Sequence, residues 1–505
     1  MTDSDAPSTL LDLFRSVPAE TTAIVLPERN IRVTYGGLRT QVEAVAEQLA
    51  AAGIQRNDRV GIAVPRGLLT IVCFLAASVA GTAAPLNPAY REDEFRFYLD
   101  DTAARVLVLP RDGADEARRA AGDAVKILTA DVDSAGTVRL SGTGRGPSVA
   151  PPSVDDVALI LHTRGSTARP KRVPLTHANL SISARNVART YRLAQDDVSL
   201  CIMPLFHVHG LVASTLATLA TGGTVVVPGK FSPLSFWRVA RDHHVTWYSA
   251  VPTLHQLLLA RAEPGSSRPE GAERLRFIRS GSASLAPQVM HDLEAAFGAP
   301  VLESYGMTEA AHQMASNPLP PAARKPGSVG PATGVAISTM DAEGRHLKQG
   351  ARGEVVIKGA TVIQGYENNP EANAASFIDG WFRTGDQGYL DDDGYLTLVG
   401  RVKELINRGG EKISPREIDE VLLAHPAIAE AVTFGVPHPT WGEEVVAAVV
   451  LREPVSKSDL LAYCRERLAD FKRPKQIHIV EAIPRTATGK VQRRLVAQAF
   501  SREPS

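Results

Sequence analysis

Leu161-His162-Thr163-Arg164-Gly165-Ser166-Thr167-Ala168-Arg169-Pro170-Lys171-Arg172-Val173 is the stretch that decides the fold. It follows a short apolar run, residues 157–161, that reads as a buried strand. A strand that empties into a hydroxyl-rich, glycine-containing loop with a lysine suggests an anion site. Backbone N–H groups and Ser/Thr hydroxyls can cradle a phosphate, and the ammonium adds charge. The G-x-x-x-x-G-K-[ST] spacing of a Walker A loop is absent.

The 505 residues around it are too many for one core, so two or more domains are expected. A hydrophobic content of 44% suits a globular chain. Fifty-five Lys and Arg balance 55 Asp and Glu, so no global basic field draws the chain to nucleic acid or an anionic membrane. Cys73, Cys201 and Cys464 form no C-x-x-C, which argues against a disulfide framework or thiolate zinc site and fits a reducing cytoplasm. The acidic start lacks a signal-peptide pattern, and the end is not S-K-L. Residues 68–80 are apolar but short of the ~20 that span a bilayer, so a buried helix is expected there and no transmembrane segment. The Ala/Arg-rich composition points to a bacterial source.

Strand candidates at 22–26, 32–35, 58–64, 198 and 223–227 alternate with helical spacing at 10–14, 38–49, 68–80, 176–189 and 236–243, and a strand–helix pair covers 246–260. That alternation favours α/β architecture with parallel sheet. Residues 139–152, rich in Ser, Gly and Pro, read as a flexible connection. From 329 to 398 short apolar segments and Gly-containing turns indicate antiparallel structure. A small mixed module follows a boundary near 400–403. Its first helix starts at Ser414-Pro415-Arg416-Glu417, with Ser as cap, Pro at the first helical position and Glu three after the cap.

Further motifs follow the opening stretch: Pro204-Leu205-Phe206-His207-Val208-His209-Gly210, Arg279-Ser280-Gly281-Ser282-Ala283, Glu303-Ser304-Tyr305-Gly306-Met307-Thr308-Glu309, Trp381-Phe382-Arg383-Thr384-Gly385-Asp386, Gly400-Arg401-Val402-Lys403-Glu404, Arg408-Gly409-Gly410-Glu411-Lys412 and Pro484-Arg485-Thr486-Ala487-Thr488-Gly489-Lys490. Together they span nearly the whole chain, and it resembles the adenylate-forming (AMP-binding) acyl-CoA ligase superfamily. Residues 247–253 and 312–318 resemble its oxalate–CoA ligase and fatty-acid–CoA ligase types. The resemblance implies an α/β adenylate-forming fold. Residues 1–402 would be a large domain of two α/β subdomains plus a small β-barrel, and residues 403–505 a small mobile α+β domain hinged at Lys403.

It also implies roles. Thr163, Ser166, Thr167, Lys171, Gly281, Tyr305, Thr308, Asp386 and Arg401 would bind nucleotide, with Tyr305 against adenine and Asp386 on the ribose. Glu309 would hold magnesium, since a hard cation takes oxygen ligands. Lys490 would offset charge at the α-phosphate, and His207, Thr308 and Glu309 complete the catalytic set. His207, Val208, Gly281, Gly306 and His312 would border the acyl pocket. Gly409, Gly410, Glu411 and Lys412 would line the route of CoA.

The opening stretch departs from the family's usual T-S-G-T-T-G-x-P-K-G-V. Arg164 replaces Ser, Ala168 and Arg172 replace Gly, and Ser166 replaces Thr. Ala168 in a left-handed glycine position would cost roughly 1–2 kcal/mol, and the Arg172 guanidinium would fill space left for phosphate. The expectation is an acid–thiol ligase with weak or absent ATP adenylation that retains CoA-thioester formation from preformed acyl-adenylate. Its ligands would be ATP or acyl-AMP, CoA, a carboxylic acid, and magnesium where adenylation operates. A separate adenylating enzyme would then supply the adenylate for specialised metabolism. Compensation by arginine, which binds phosphate well, leads instead to a complete ATP-dependent acyl-CoA synthetase. Loading of a carrier protein and non-catalytic nucleotide or acyl binding are the other classes open. Changing Arg164, Ala168 and Arg172 to the family residues should raise ATP–pyrophosphate exchange if the loop is disabled.

Overall fold

The computed structural model describes residues 6–163, 170–262, 267–485 and 491–500. Arg164, Ser166, Thr167, Ala168 and Lys490 lie outside them.

Two parallel-rich sheets build the large domain. In the first, the strands run in the order Val138–Ser141, Lys126–Val132, Ala104–Pro110, Arg59–Ile62, Thr82–Pro85, Val157–Thr163 and Lys171–Thr176. The second has the order His312–Ser316, Val301–Met307, Phe277–Ser280, Trp247–Ala250, Val198–Leu200, Thr224–Val226, Thr22–Leu26 and Ile31–Thr34. The Leu68–Ala80 helix carries no charge, and nearly every side chain on it is buried, packed against the amphipathic Tyr35–Ala51 helix. Expected helical spacing near the N-terminus yields only a 3₁₀ turn, Asp12–Phe14. The Gly/Ser-rich connection is likewise shorter than expected, because Val138–Ser141 pairs as an edge strand.

The antiparallel texture resolves into a five-stranded sheet of Ala336–Met340, Gly353–Lys358, Phe377–Ile378, Trp381–Leu390 and Leu396–Arg401. The C-terminal module has its own five-stranded sheet and a core that includes Ile406, Ile413, Ile418, Leu422 and Val449. Its Pro415–Leu423 helix begins as the sequence indicates, with the Ser414 side chain accepting from the Glu417 N–H. Buried Arg416 on this helix reaches back to the large domain. It donates to Leu398 O at 2.9 Å and lies 3.9 Å from Glu303 Oε1.

The opening stretch forms the stem of an antiparallel hairpin, with Thr163 opposite Lys171 and His162 opposite Arg172. Because strand side chains alternate in direction, these two pairs face opposite sides of the sheet. Thr163 and Lys171 look toward the segment after the Val301–Met307 strand. His162 and Arg172 look toward the end of the Glu92–Thr102 helix. The Arg172 guanidinium lies on the face opposite Lys171. It pairs with Asp101 at 3.3 Å and Glu367 at 3.3 Å, and donates to Asp101 O at 2.7 Å.

Candidate active site

Three elements meet at the nucleotide side. Tyr305 ends the buried part of the Val301–Met307 strand and donates its hydroxyl to Asp386 Oδ2. Burial, then the Asp386 charge, pushes the phenol well above its ordinary pKa, so it stays a donor. Asp386 and Arg401 are register partners on adjacent antiparallel strands, and Arg401 Nε sits 2.8 Å from Asp386 Oδ1. The Asp386 charge raises the Arg401 pKa and outweighs partial desolvation, with 52% of the Arg401 side chain still exposed. The structure thus brings together Tyr305, Asp386 and Arg401, all read from sequence.

Thr308 and Glu309 lie in the 3₁₀ turn that follows the same strand. Glu309 Oε1 accepts from Thr163 Oγ1 at 3.1 Å and from Tyr366 OH at 2.9 Å. Lys171 Nζ lies 4.5 Å from the Tyr366 ring centroid. Burial lowers the Lys171 pKa, opposed by Glu309 and assisted by Lys403. Thr163, Lys171, Glu309 and Tyr366 therefore form one cluster, and the Lys403 charge is felt at Lys171. Tyr366 was not found from sequence, and nothing in its Gly-Tyr-Glu-Asn-Asn setting marks it.

Glu309 is buried, its two hydrogen bonds converge on one oxygen, and no ion pair to it occurs among the described residues. One carboxylate beside phosphates suits magnesium, which keeps waters and substrate oxygens as its other ligands. The donors fit such an ion, and among the described residues no cluster of three or more His, Cys, Asp or Glu suits a different metal.

The acid side is built differently. Arg279 is 0% exposed, in the Phe277–Ser280 strand. Its Nε donates to Tyr191 OH at 2.9 Å, Nη1 to Ser249 Oγ at 3.0 Å and Nη2 to Gln313 Oε1 at 3.1 Å, with His209 and His312 nitrogens at 3.4 Å. Every one of these partners can be neutral. Among the described residues no carboxylate lies within 4.0 Å of the guanidinium. Burying a charge this way is costly unless something else completes it.

His209 sits at the start of a π-helical stretch, His209–Leu216, and touches Ser249 Oγ at 2.6 Å and Ser282 Oγ at 2.9 Å. π-helical segments are rare and concentrate at functional sites. His209 and His312 rings meet edge-on, 5.2 Å apart. The positive φ values of Ser282 (67°), Ala311 (52°) and His312 (121°) cluster around this pocket, strain of the kind that gathers at binding sites. A side chain at Gly281 would press on Arg279 Nη1 and Ser304 Oγ, and one at Gly306 would collide with the His312 backbone. Both glycines are therefore required by close packing.

His312, Gly281 and Gly306 lie together beside Arg279 and His209. His207 is half-buried one turn earlier, its carbonyl accepting from Leu211 N at 3.0 Å, and Val208 is buried beside it. His209, Arg279, Ser249 and Ser282 lie in motifs singled out from the sequence but carry no individual role there. Arg279 could have been found: it shares the inward face of Phe277-Ile278-Arg279-Ser280, where a cation has no ordinary place. Gly409, Gly410, Glu411 and Lys412 are exposed at the tip of a hairpin in the small module, with Gly409 at φ 60° and Gly410 at φ 93°.

Tyr305, Asp386 and Arg401 thus form one hydrogen-bonded group, flanked by a lysine–carboxylate cluster and by the buried Arg279 guanidinium. Residues 14–367 match the AMP-binding enzyme family and residues 417–490 the AMP-binding enzyme C-terminal domain. The chain is 47% identical over 509 residues to a probable CoA ligase of Humulus lupulus, covering 97% of this chain and 96% of that protein. It is 46% identical over 518 residues to an oxalate–CoA ligase of Arabidopsis thaliana, covering 99% and 100%. The ATP-bound structure of MatB from Rhodopseudomonas palustris superimposes with a TM-score of 0.90 at 31% identity, covering 98% of this chain and 99% of that one. The chain belongs to the AMP-binding enzyme family. It is an acid–thiol ligase that forms acyl-CoA through an acyl-adenylate.

Proposed function

We propose that this chain is a complete ATP-dependent CoA ligase for a short acid carrying a second anionic group, of the oxalate kind. The observation that carries the reading is the buried Arg279 guanidinium, ringed by His209, His312, Ser249 and Gln313 and lacking a carboxylate among the described residues. A monocarboxylate spends its only charge on the reaction with ATP, so a second anionic group is the natural counter-charge for this cation. The likeness to the Arabidopsis oxalate–CoA ligase supports the same class.

In this reading the substrate carboxylate attacks the α-phosphate of ATP, giving acyl-adenylate and pyrophosphate. Tyr305, Asp386 and Arg401 hold the nucleoside, and Glu309 would hold magnesium, which supplies charge neutralisation at the phosphates. Thr163, Lys171 and Thr308 face the phosphates, and Lys490 approaches the reacting carboxylate. The CoA thiol then displaces AMP, with Gly409, Gly410, Glu411 and Lys412 lining its approach and His207 at the entrance. Residues 403–505 turn about Lys403 between the half-reactions. The buried free thiols of Cys73, Cys201 and Cys464 support a reducing compartment. Among the described residues no helix is long and apolar enough to cross a membrane.

The test is ATP–pyrophosphate exchange with oxalate and malonate set against acetate and hexanoate. Exchange that depends on a diacid supports the reading, and equal or better exchange with hexanoate rejects it. A second reading keeps only thioester formation from preformed acyl-adenylate and draws on Arg164 and Ala168. Pairing of Arg172 with Asp101 and Glu367 weighs against one of its three supports. Thioester formation from synthetic oxalyl-adenylate without any exchange would favour it.

A further inference from the structure

Arg172 is where this chain departs from the glycine usual in the family, and its side chain takes part in a network of its own. Besides Asp101 and Glu367, its neighbours are His162, whose Nε2 lies 2.9 Å from Asp101 Oδ2, and Arg59, which pairs with Glu367. Burial lowers the His162 pKa more than Asp101 raises it, so this contact is a hydrogen bond from a neutral imidazole. The Glu367 backbone N–H also donates to Arg172 O at 3.1 Å. Arg172 is only 15% exposed at its side chain, Glu367 23% and Asp101 30%, so solvent screens these pairs less than it would at the surface.

The network is continuous with the phosphate side through the backbone. Residues 171 and 172 run beside residues 366 and 367. On one face Lys171 lies over Tyr366, and on the other Arg172 pairs with Glu367. Tyr366 in turn donates to Glu309. The Arg172–Glu367 contact, an ion pair at 3.3 Å in which Glu367 Oε2 accepts no hydrogen bond, thus lies next in sequence to both Lys171 and Tyr366.

We propose that Arg172 is a positioning residue for ATP. Clamped between Asp101 and Glu367, it holds Lys171, Tyr366 and Glu309 in the arrangement that receives the polyphosphate and its magnesium. This rests on the ATP-dependent reading above and reverses what the sequence alone implies for Arg172. The adenosine contacts Tyr305, Asp386 and Arg401 lie outside the clamp, so AMP serves as the internal control.

The experiment is calorimetric titration of the full-length protein, native and variant, with MgATP and separately with AMP. Arg172→Gln and Glu367→Gln should each raise the MgATP dissociation constant roughly tenfold and leave that of AMP unchanged. Arg172→Lys should recover part of the loss, and the double variant should be no worse than Arg172→Gln alone. Asp101→Asn, which removes one pair and leaves the other, gives a smaller loss and serves if the stronger variants fail to fold. Unchanged MgATP affinity, or equal weakening of MgATP and AMP, would overturn the proposal. A native protein that binds AMP but not MgATP would overturn both this inference and the ATP-dependent reading.

Discussion

The proposed nucleotide side and the proposed acid side of the site hold charge in opposite ways. Around the nucleotide, charge is already balanced: Asp386 has Arg401 and Tyr305, and Glu309 has two hydroxyl donors beside Lys171. Around the acid, Arg279 is wrapped in hydroxyl, amide and imidazole groups and has no opposite charge among the described residues. A balanced site can admit ligands that differ in charge, such as ATP and AMP, within one cycle. An unbalanced one selects for the charge it lacks.

Replacing the cation should break this contrast most sharply. Arg279→Met is expected to lower diacid-dependent exchange at least ~100-fold, because a buried charge contact to the substrate is lost. Its melting temperature should be equal to or above native, since an uncompensated buried charge is removed. A variant that keeps its diacid preference would show that the selection lies elsewhere. Next in size, Asp386→Asn should weaken AMP roughly tenfold by calorimetry while leaving diacid discrimination intact. Loss of discrimination in that variant would mean the two sides are not separate.

A smaller effect concerns Glu303, which lies behind both sides. Burial pushes its carboxyl up to about 7, opposed by Arg416 and the Leu285 N–H. With the folded pKa above the unfolded value, its contribution to stability is full below the ordinary carboxyl range. It declines as pH rises through about 7. The Glu303→Gln variant should therefore flatten the fall in melting temperature between weakly acidic and weakly alkaline buffer. An unchanged slope would exclude Glu303 as its source. The smallest effect is expected from salt. Sodium chloride should weaken MgATP binding more than AMP binding, because in the proposed function the polyphosphate charge meets partly exposed Lys171 and exposed Lys403.

Much of this was legible in the chain. The Leu68–Ala80 helix is found at its sequence-expected limits because it is apolar on every face, and the Ser414 cap because its residues have a local reason to be there. Tyr305, Asp386 and Arg401 were legible as motif members, and their mutual contacts follow from strand pairing. The expectation for Arg172 comes from its family position, whereas its pairs are with Asp101 and Glu367. Period-two alternation already sends it away from Lys171. Tyr366 was beyond reach, since its importance comes only from what the fold places beside it.

The contact of Arg416 with Glu303 has one more consequence. A turn of residues 403–505 between half-reactions would carry Arg416 away from a carboxyl whose neutral form burial already favours. The two arrangements would then differ in how many protons the enzyme holds, and the hydrogen-ion concentration would act on the balance between them as a reactant acts on any equilibrium.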